Sequence, residues 1–329
     1  MIIAEKLKAN DEIRVVAPAQ SLAIIASENR DYANSVFEKF NLKLSFSHYV
    51  NEVDEFGSSS VKHRLDDLHE AFADKKVKAI FTVLGGYNSN QLLDYLDYDL
   101  IRKNPKIFCG YSDITALLNA IYTKTGLITY YGPHYSTFGV KEKNYYTLEY
   151  FFKCLFNNDK FEISASDIWS DDQWYLDQNN RHFIKNDGFK VINEGTAMGT
   201  IIGGNLCTFS LLTGTTYLPN FQNTLLFLED DDWPLQLSAH EFDRNLQALL
   251  HLPQFKQVKA IIIGRFQKKS AIDFMKLQKI IRSKSELNNI PVICGVDFGH
   301  TLPMITFPIG GLASIEAVNN KAIVKILTH

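Results

Sequence analysis

Several features that would narrow the class at once are scarce or missing. Cysteine is sparse: Cys109, Cys154, Cys207 and Cys294 are the four in 329 residues, each in an apolar setting and none at paired spacing. That excludes a disulfide scaffold and a thiolate zinc site, and it reads as buried thiols in a reducing compartment. No apolar run reaches the roughly 18 residues that a membrane span requires. Met1-Ile2-Ile3-Ala4-Glu5-Lys6 meets a charge after only a few apolar residues, unlike a signal peptide. The expectation is a soluble, cytoplasmic protein with no membrane partner. An excess of either charge is also missing: 34 Lys+Arg stand against 37 Asp+Glu, net −3, with no basic block or stripe. Nucleic acid is therefore not an expected partner.

What is present is a large apolar fraction, 46%, enough for one large domain or two ordinary ones. The stretch that organises the chain is Lys106-Ile107-Phe108-Cys109-Gly110-Tyr111-Ser112-Asp113-Ile114. Ile107 to Cys109 has the bulk and length of a buried parallel strand, and Ile114, Leu117, Leu118 and Ile121 then recur at helical spacing. A strand that turns into a helix through Gly-x-Ser lifts the serine above the sheet, beside the amides of a helix N-terminus. Ser112 fits two roles at this point. It is a nucleophile on an elbow, although Ile114 stands where the common elbow has glycine, or it is an N-cap with Asp113 in the first turn.

Strands and helices alternate through the first part of the chain: strands at Ile13–Ala17, Leu42–Phe46 and Lys78–Leu84, helices at Ser27–Phe40 and Val61–Phe72. Such alternation predicts a doubly wound parallel sheet with ligands at the carboxyl ends of the strands. Gly85-Gly86 follows the Lys78–Leu84 strand and serves either as a tight turn or as a loop whose backbone N–H approaches a substrate oxygen. No Gly-Lys-Ser/Thr follows it, so it is not a nucleotide-phosphate loop. Residues 141–198 read as a linker with long loops and little core, with Trp169, Trp174 and Tyr175 as anchors or as platforms for a planar ligand group. From residue 199 a second α/β unit with a mixed sheet is expected, giving domains 1–140 and 199–329.

A hydrolytic serine needs a base and a carboxylate that orients it. Glu229 at the end of the Thr224–Leu228 strand and His300 in a glycine-containing loop are candidates; bland readings are a solvated acidic turn and a backbone-bonded loop histidine.

Larger motifs decide between these readings. They are Gly85-Gly86-Tyr87-Asn88-Ser89-Asn90, Gly110-Tyr111-Ser112-Asp113, Ile202-Gly203-Gly204-Asn205-Leu206, Leu226-Phe227-Leu228-Glu229-Asp230 and His300-Thr301-Leu302-Pro303-Met304. With these the chain resembles the LD-carboxypeptidase family of serine peptidases, and within it the microcin C self-immunity branch. The resemblance implies Ser112 as nucleophile, Glu229 as acid and His300 as base, with the amides of Gly86 and Asp113 as oxyanion hole. It also implies a metal-independent reaction without cofactor, a homodimer, and a small peptide or aminoacyl-nucleotide substrate. Many murein-cleaving members have arginine where this chain has Leu84, which points to the immunity branch. Trp174 is the match for a nucleobase-stacking tryptophan, and Asn88 joins it as a substrate-binding candidate. The alternatives are a murein tetrapeptide LD-carboxypeptidase, a non-catalytic small-ligand binding protein, and a cysteine amidase using Cys109.

Overall fold

The computed structural model describes residues 1–234 and 237–329. Strands β1 (Glu12–Val16), β2 (Lys43–Phe46), β3 (Val77–Thr82), β4 (Ile107–Gly110) and β5 (Thr129–Tyr131) are all parallel, in the order β5-β4-β3-β1-β2. Their central members are apolar on both faces because helices cover both sides: Ile80, Phe81, Ile107 and Phe108 are fully buried. Those helices are α1 (Ser27–Lys39), α2 (Val61–Ala73), α3 (Tyr98–Lys103) and α4 (Thr115–Thr125). Ser60 caps α2 by accepting from the His63 amide, and Gly126, left-handed at φ +75°, ends α4.

The stretch expected to be a linker with little core, residues 141–198, contains regular elements. It contains α5 (Tyr145–Leu155), whose Tyr146, Tyr150, Phe151, Cys154 and Leu155 are buried at helical spacing. Tyrosine hides this pattern in a polar/apolar reading, because its ring packs as a hydrophobe while its hydroxyl finds a partner. Tyr146 donates to the Ser164 carbonyl at 2.6 Å. Strands β6 (Phe161–Ile163), β7 (Ile168–Trp169), β8 (Ile184–Lys185) and β9 (Lys190–Asn193) follow, and β6 and β9 form the two edges of the second sheet.

That sheet has eight strands, completed by β10 (Gly195–Asn205), β11 (Thr224–Glu229), β12 (Val258–Gly264), β13 (Val292–Val296), β15 (Leu312–Val318) and β16 (Lys321–Thr328); β14 (Phe307–Ile309) lies in the first sheet. The order is β6-β16-β15-β10-β11-β12-β13-β9, parallel from β10 to β13 and antiparallel outside that centre. The mixed sheet is covered by α6 (Leu206–Ser210), α7 (Ser238–Leu250) and α8 (Phe274–Arg282).

Strand β14 pairs antiparallel with β5 and so becomes the sixth strand of the first sheet. Buried polar bonds join the halves as well. Asn119 of α4 donates to the Gly203 carbonyl at 2.8 Å and accepts from the Gly203 amide at 3.2 Å, and the Asn205 amide donates to Thr115 Oγ1 at 3.0 Å. The carboxyl ends of β3, β4 and β11 consequently face one crevice. Among the described residues no helix is long and apolar enough to cross a membrane.

Candidate active site

Ser112 ends the extended run of β4 with φ +58°, a left-handed conformation that costs a non-glycine residue free energy. An N-cap residue has extended backbone and lends its side chain to the next turn, and Ser112 does neither. The caps of the short 3-10 turn Ser112–Ile114 and of α4 are Tyr111 and Ile114, neither with a side-chain bond. The strained corner turns the hydroxyl outward, towards His300.

The loop after β3 lies directly against this corner. A Cβ on Gly85 would stand 2.9 Å from both Cβ and Oγ of Ser112 and 3.5 Å from the Asp113 amide, so only glycine leaves the hydroxyl its room. The Asp113 carboxylate, 2% exposed, holds this loop by accepting from the amides of Asn88 at 3.1 Å and Ser89 at 2.9 Å. Ser89 Oγ donates back to the Asp113 carbonyl at 2.7 Å. Burial pushes the Asp113 carboxyl above its ordinary range, opposed by these bonds.

His300 lies between β13 and β14, on a loop tied to both sheets. Its Nε2 is 3.0 Å from Ser112 Oγ and its Nδ1 is 2.8 Å from Glu229 Oε2. Glu229 closes β11 with 1% exposure, and its other oxygen accepts from the Tyr131 phenol at 2.7 Å. Gly299, at φ +105°, is required here, since a Cβ would fall 2.7 Å from Glu229 Oε2. A second carboxylate also reaches the ring: Asp231 Oδ1 lies 2.5 Å from Nε2 as an ion pair, while Ser112 Oγ occupies that nitrogen's hydrogen-bond direction. Burial alone would lower the His300 pKa, but Asp231 and Glu229 outweigh it and raise the ring well above the ordinary histidine value. The Asp231 carboxyl, despite burial, is held below its ordinary value by the same imidazole.

These groups open into a cavity of about 750 Å³, with Leu84, Gly86, Tyr87, Trp174, Tyr175 and Trp233 on its walls. Trp174 also borders an adjoining cavity of about 560 Å³ that holds Lys268 and Lys269. Its loop is anchored to the histidine loop by reciprocal backbone bonds between Ser170 and Leu302, 2.7 and 2.9 Å long. Asn88 lies outside the cavity lining; its Oδ1 accepts from Arg64 at 3.1 Å. Cys109 is fully buried in β4, where burial raises its thiol pKa well above normal, the opposite of an activated nucleophile.

Sequence reasoning missed Tyr131 and Asp231. Tyr131 sits inside an apolar strand and meets Glu229 only through tertiary structure. Asp231 belongs to the acidic run after Glu229, and the signal available was that four consecutive acidic residues are costly next to a buried site. Among the described residues no group of three or more His, Cys, Asp and Glu side chains is arranged to hold a metal ion.

The LD-carboxypeptidase N-terminal domain family matches residues 13–132, and the LD-carboxypeptidase C-terminal domain family matches residues 198–315. A Bacillus subtilis protein named as a carboxypeptidase, YocD, is 52% identical over 326 residues, 99% of each chain. The microcin C7 self-immunity protein MccF of Escherichia coli is 31% identical over 329 residues, covering 97% of this chain and 94% of the relative. The murein tetrapeptide carboxypeptidase of Pseudomonas aeruginosa is 24% identical, with 92% of each chain covered. Among solved structures, an MccF-like protein from Bacillus anthracis superposes with a TM-score of 0.99 at 52% identity over 100% of both chains. MccF in complex with glutamyl sulfamoyl guanosine superposes with a TM-score of 0.87 at 29% identity, covering 99% and 98%. With both domain families matched in order, and relatives aligned from end to end, the chain belongs to the LD-carboxypeptidase family of peptidases, family S66.

Proposed function

We propose that the protein is a serine-type carboxypeptidase or amidase that hydrolyses the bond between an aminoacyl or peptidyl group and a nucleotide-like leaving group. The observation that carries this reading is the hydrogen-bonded relay from Ser112 Oγ through His300 to Glu229. In the reaction His300 Nε2 takes the hydroxyl proton as Ser112 Oγ attacks the carbonyl carbon. The Gly86 and Asp113 amides stabilise the resulting oxyanion, with the Asp113 carboxylate keeping loop and elbow in register. His300 then gives its proton to the leaving nitrogen, and water cleaves the acyl-enzyme by the same steps in reverse. Glu229, itself held by Tyr131, fixes the tautomer and stabilises the imidazolium.

Two facts favour a nucleotide-like substrate over a murein tetrapeptide. The relative solved with glutamyl sulfamoyl guanosine covers nearly the whole chain. The main cavity carries aromatic walls and, among the described residues, no Lys or Arg; the nearest cations, Lys268 and Lys269, line the adjoining cavity. Trp174, which borders both cavities, is the residue this reading assigns to stack on the base. The test is a panel of aminoacyl sulfamoyl nucleosides and muropeptides offered to the purified protein, with release of the amine measured. Cleavage of the nucleosides is expected; cleavage of the tetrapeptide alone makes the protein a murein LD-carboxypeptidase. Tight binding without turnover, together with no fluorophosphonate labelling of Ser112, makes it a binding protein.

A further inference from the structure

Asp231 stands outside the relay yet touches its central atom. Its Oδ1 lies 2.5 Å from His300 Nε2, the nitrogen that also faces Ser112 Oγ at 3.0 Å. The two neighbours make opposite demands. A carboxylate beside Nε2 holds a proton on it, whereas a serine about to attack needs its lone pair free. Glu229 occupies the other nitrogen, so the two carboxylates together favour the cationic form of the imidazole, which has no lone pair with which to act as a base.

The rest of the cavity does not relieve this. Among the described residues no Lys or Arg lines the main cavity, and Lys268 and Lys269 of the adjoining cavity, which His300 also borders, form no ion pair with Asp231. The other groups facing His300 are Tyr111 and Ser112 from the elbow, His134 after β5, and Tyr131 behind Glu229; none of them supplies a positive partner for Asp231. The two carboxylates also differ in freedom. Glu229 has 1% of its side chain exposed and is bonded on both oxygens, whereas Asp231 keeps 31% exposed, so only Asp231 can exchange partners when something enters the cavity. A ligand anion at that spot is repelled and a ligand cation is drawn in.

We propose that Asp231 recognises an ammonium group on the substrate, the α-ammonium of an aminoacyl group beside the scissile carbonyl, and that this exchange of partners frees His300 to act on Ser112. The inference rests on the serine-hydrolase reading above and deepens it: the favoured substrates carry a free amine on the carbon next to the carbonyl under attack. Ser112 Oγ and Asp231 Oδ1 are both neighbours of one ring nitrogen, so a carbonyl at the first puts its α-nitrogen within reach of the second. No bond between heavy atoms changes in the exchange; the one bond that breaks is Nε2–H of the imidazolium, whose proton is taken up by water. The ammonium donates to Asp231, the imidazolium loses one of its two anions and releases its Nε2 proton to solvent, and the Ser112 hydroxyl donates to the vacated lone pair.

The test compares wild type with Asp231→Asn and Asp231→Ala. The substrates are an aminoacyl sulfamoyl nucleoside with a free amine and its Nα-acetylated form, and a fluorophosphonate probe reports on Ser112 separately. Wild type is expected to prefer the free amine in kcat/KM by at least about tenfold, the equivalent of one pK unit of charge pairing. Both variants should bring the two substrates to within about twofold of each other, by losing the same term. At about pH 6, where an unperturbed imidazole is still partly neutral, the variants should label faster than wild type, with the acid limb of labelling moved to lower pH. A preference that survives in both variants, or labelling that does not accelerate, overturns the role of Asp231 while leaving the serine reading standing. Wild type that neither labels at Ser112 nor turns over either substrate overturns the serine reading, and the role of Asp231 with it.

Discussion

Tyr131 of β5 donates its phenolic proton to Glu229 of β11 at 2.7 Å, a bond between the two sheets made in full burial. Tyr131→Phe leaves one oxygen of that carboxylate without its partner where water does not reach. The expected cost is about 1–3 kcal/mol of stability by denaturant titration. A fall in kcat with little change in KM is expected as well, because the phenol acts on Glu229, the proposed orienting acid, and not on the substrate. Wild-type values for both kcat and stability would show that this bond orients nothing.

Ser112 should separate stability from activity. Ser112→Ala is expected to lower turnover by roughly four to six orders of magnitude and to abolish fluorophosphonate labelling. Ser112→Gly should be equally inactive yet more stable by up to about 1 kcal/mol, because glycine adopts the left-handed φ without strain. A glycine variant that melts below wild type would mean that the corner stores no strain.

Gly85→Ala tests how tightly the loop abuts Ser112. The added methyl meets Cβ and Oγ of Ser112 at 2.9 Å, so loop or hydroxyl must give way. A displacement of this size at the reacting group is expected to lower kcat on the order of a hundredfold. Thermal unfolding should report a well-folded protein throughout. Normal turnover with normal labelling would remove Gly85 from the argument about the site.

Asp230 gives a stability profile with a defined sign. Burial, with Glu229 as a second cause, pushes its carboxyl up from 3.8 to about 7, and its Oδ2 has no hydrogen-bond partner among the described residues. A carboxyl whose pKa rises on folding holds more protons folded than unfolded. Its contribution is therefore fully present below the unfolded value and is lost as pH climbs from near 3.8 towards 7. The loss is on the order of 4 kcal/mol at most. Asp230→Asn, which mimics the neutral acid, should flatten the decline of melting temperature between these limits. An unchanged pH slope in that variant would show that Asp230 is not the group responsible.

How much of this was legible in the sequence follows from how local each signal is. The elbow was legible because strand, glycine, serine and helix are contiguous, and the turn at Ser112–Ile114 follows from those neighbours. Glu229 and His300 were legible as an acid at a strand end and a histidine in a glycine loop, but their choice among many equivalents came from family motifs. Helix α5 was hidden by its tyrosines, and the long loop was expected to be less anchored than its Ser170–Leu302 bonds make it. Asp231 and Tyr131 were silent because their roles depend on distances across the two halves, to which local pattern carries no guide. That Ser112 is not a helix cap also lay beyond local pattern: it turns on one backbone angle.

The crossing of β14 into the first sheet has a consequence for how this enzyme can be taken apart. A fragment ending before residue 199 would present β5 as a naked edge and carry off β6, β9 and the start of β10, while the remaining piece would hold three orphaned residues, Phe307 to Ile309, with no ladder to join. The halves are thus grafted to one another rather than hinged. Shuffling them between relatives should fail unless this splice travels with the front half. Mixing the two separately made pieces should restore the active enzyme only by reknitting β14 onto β5 and β6, β9 and the start of β10 onto the second sheet.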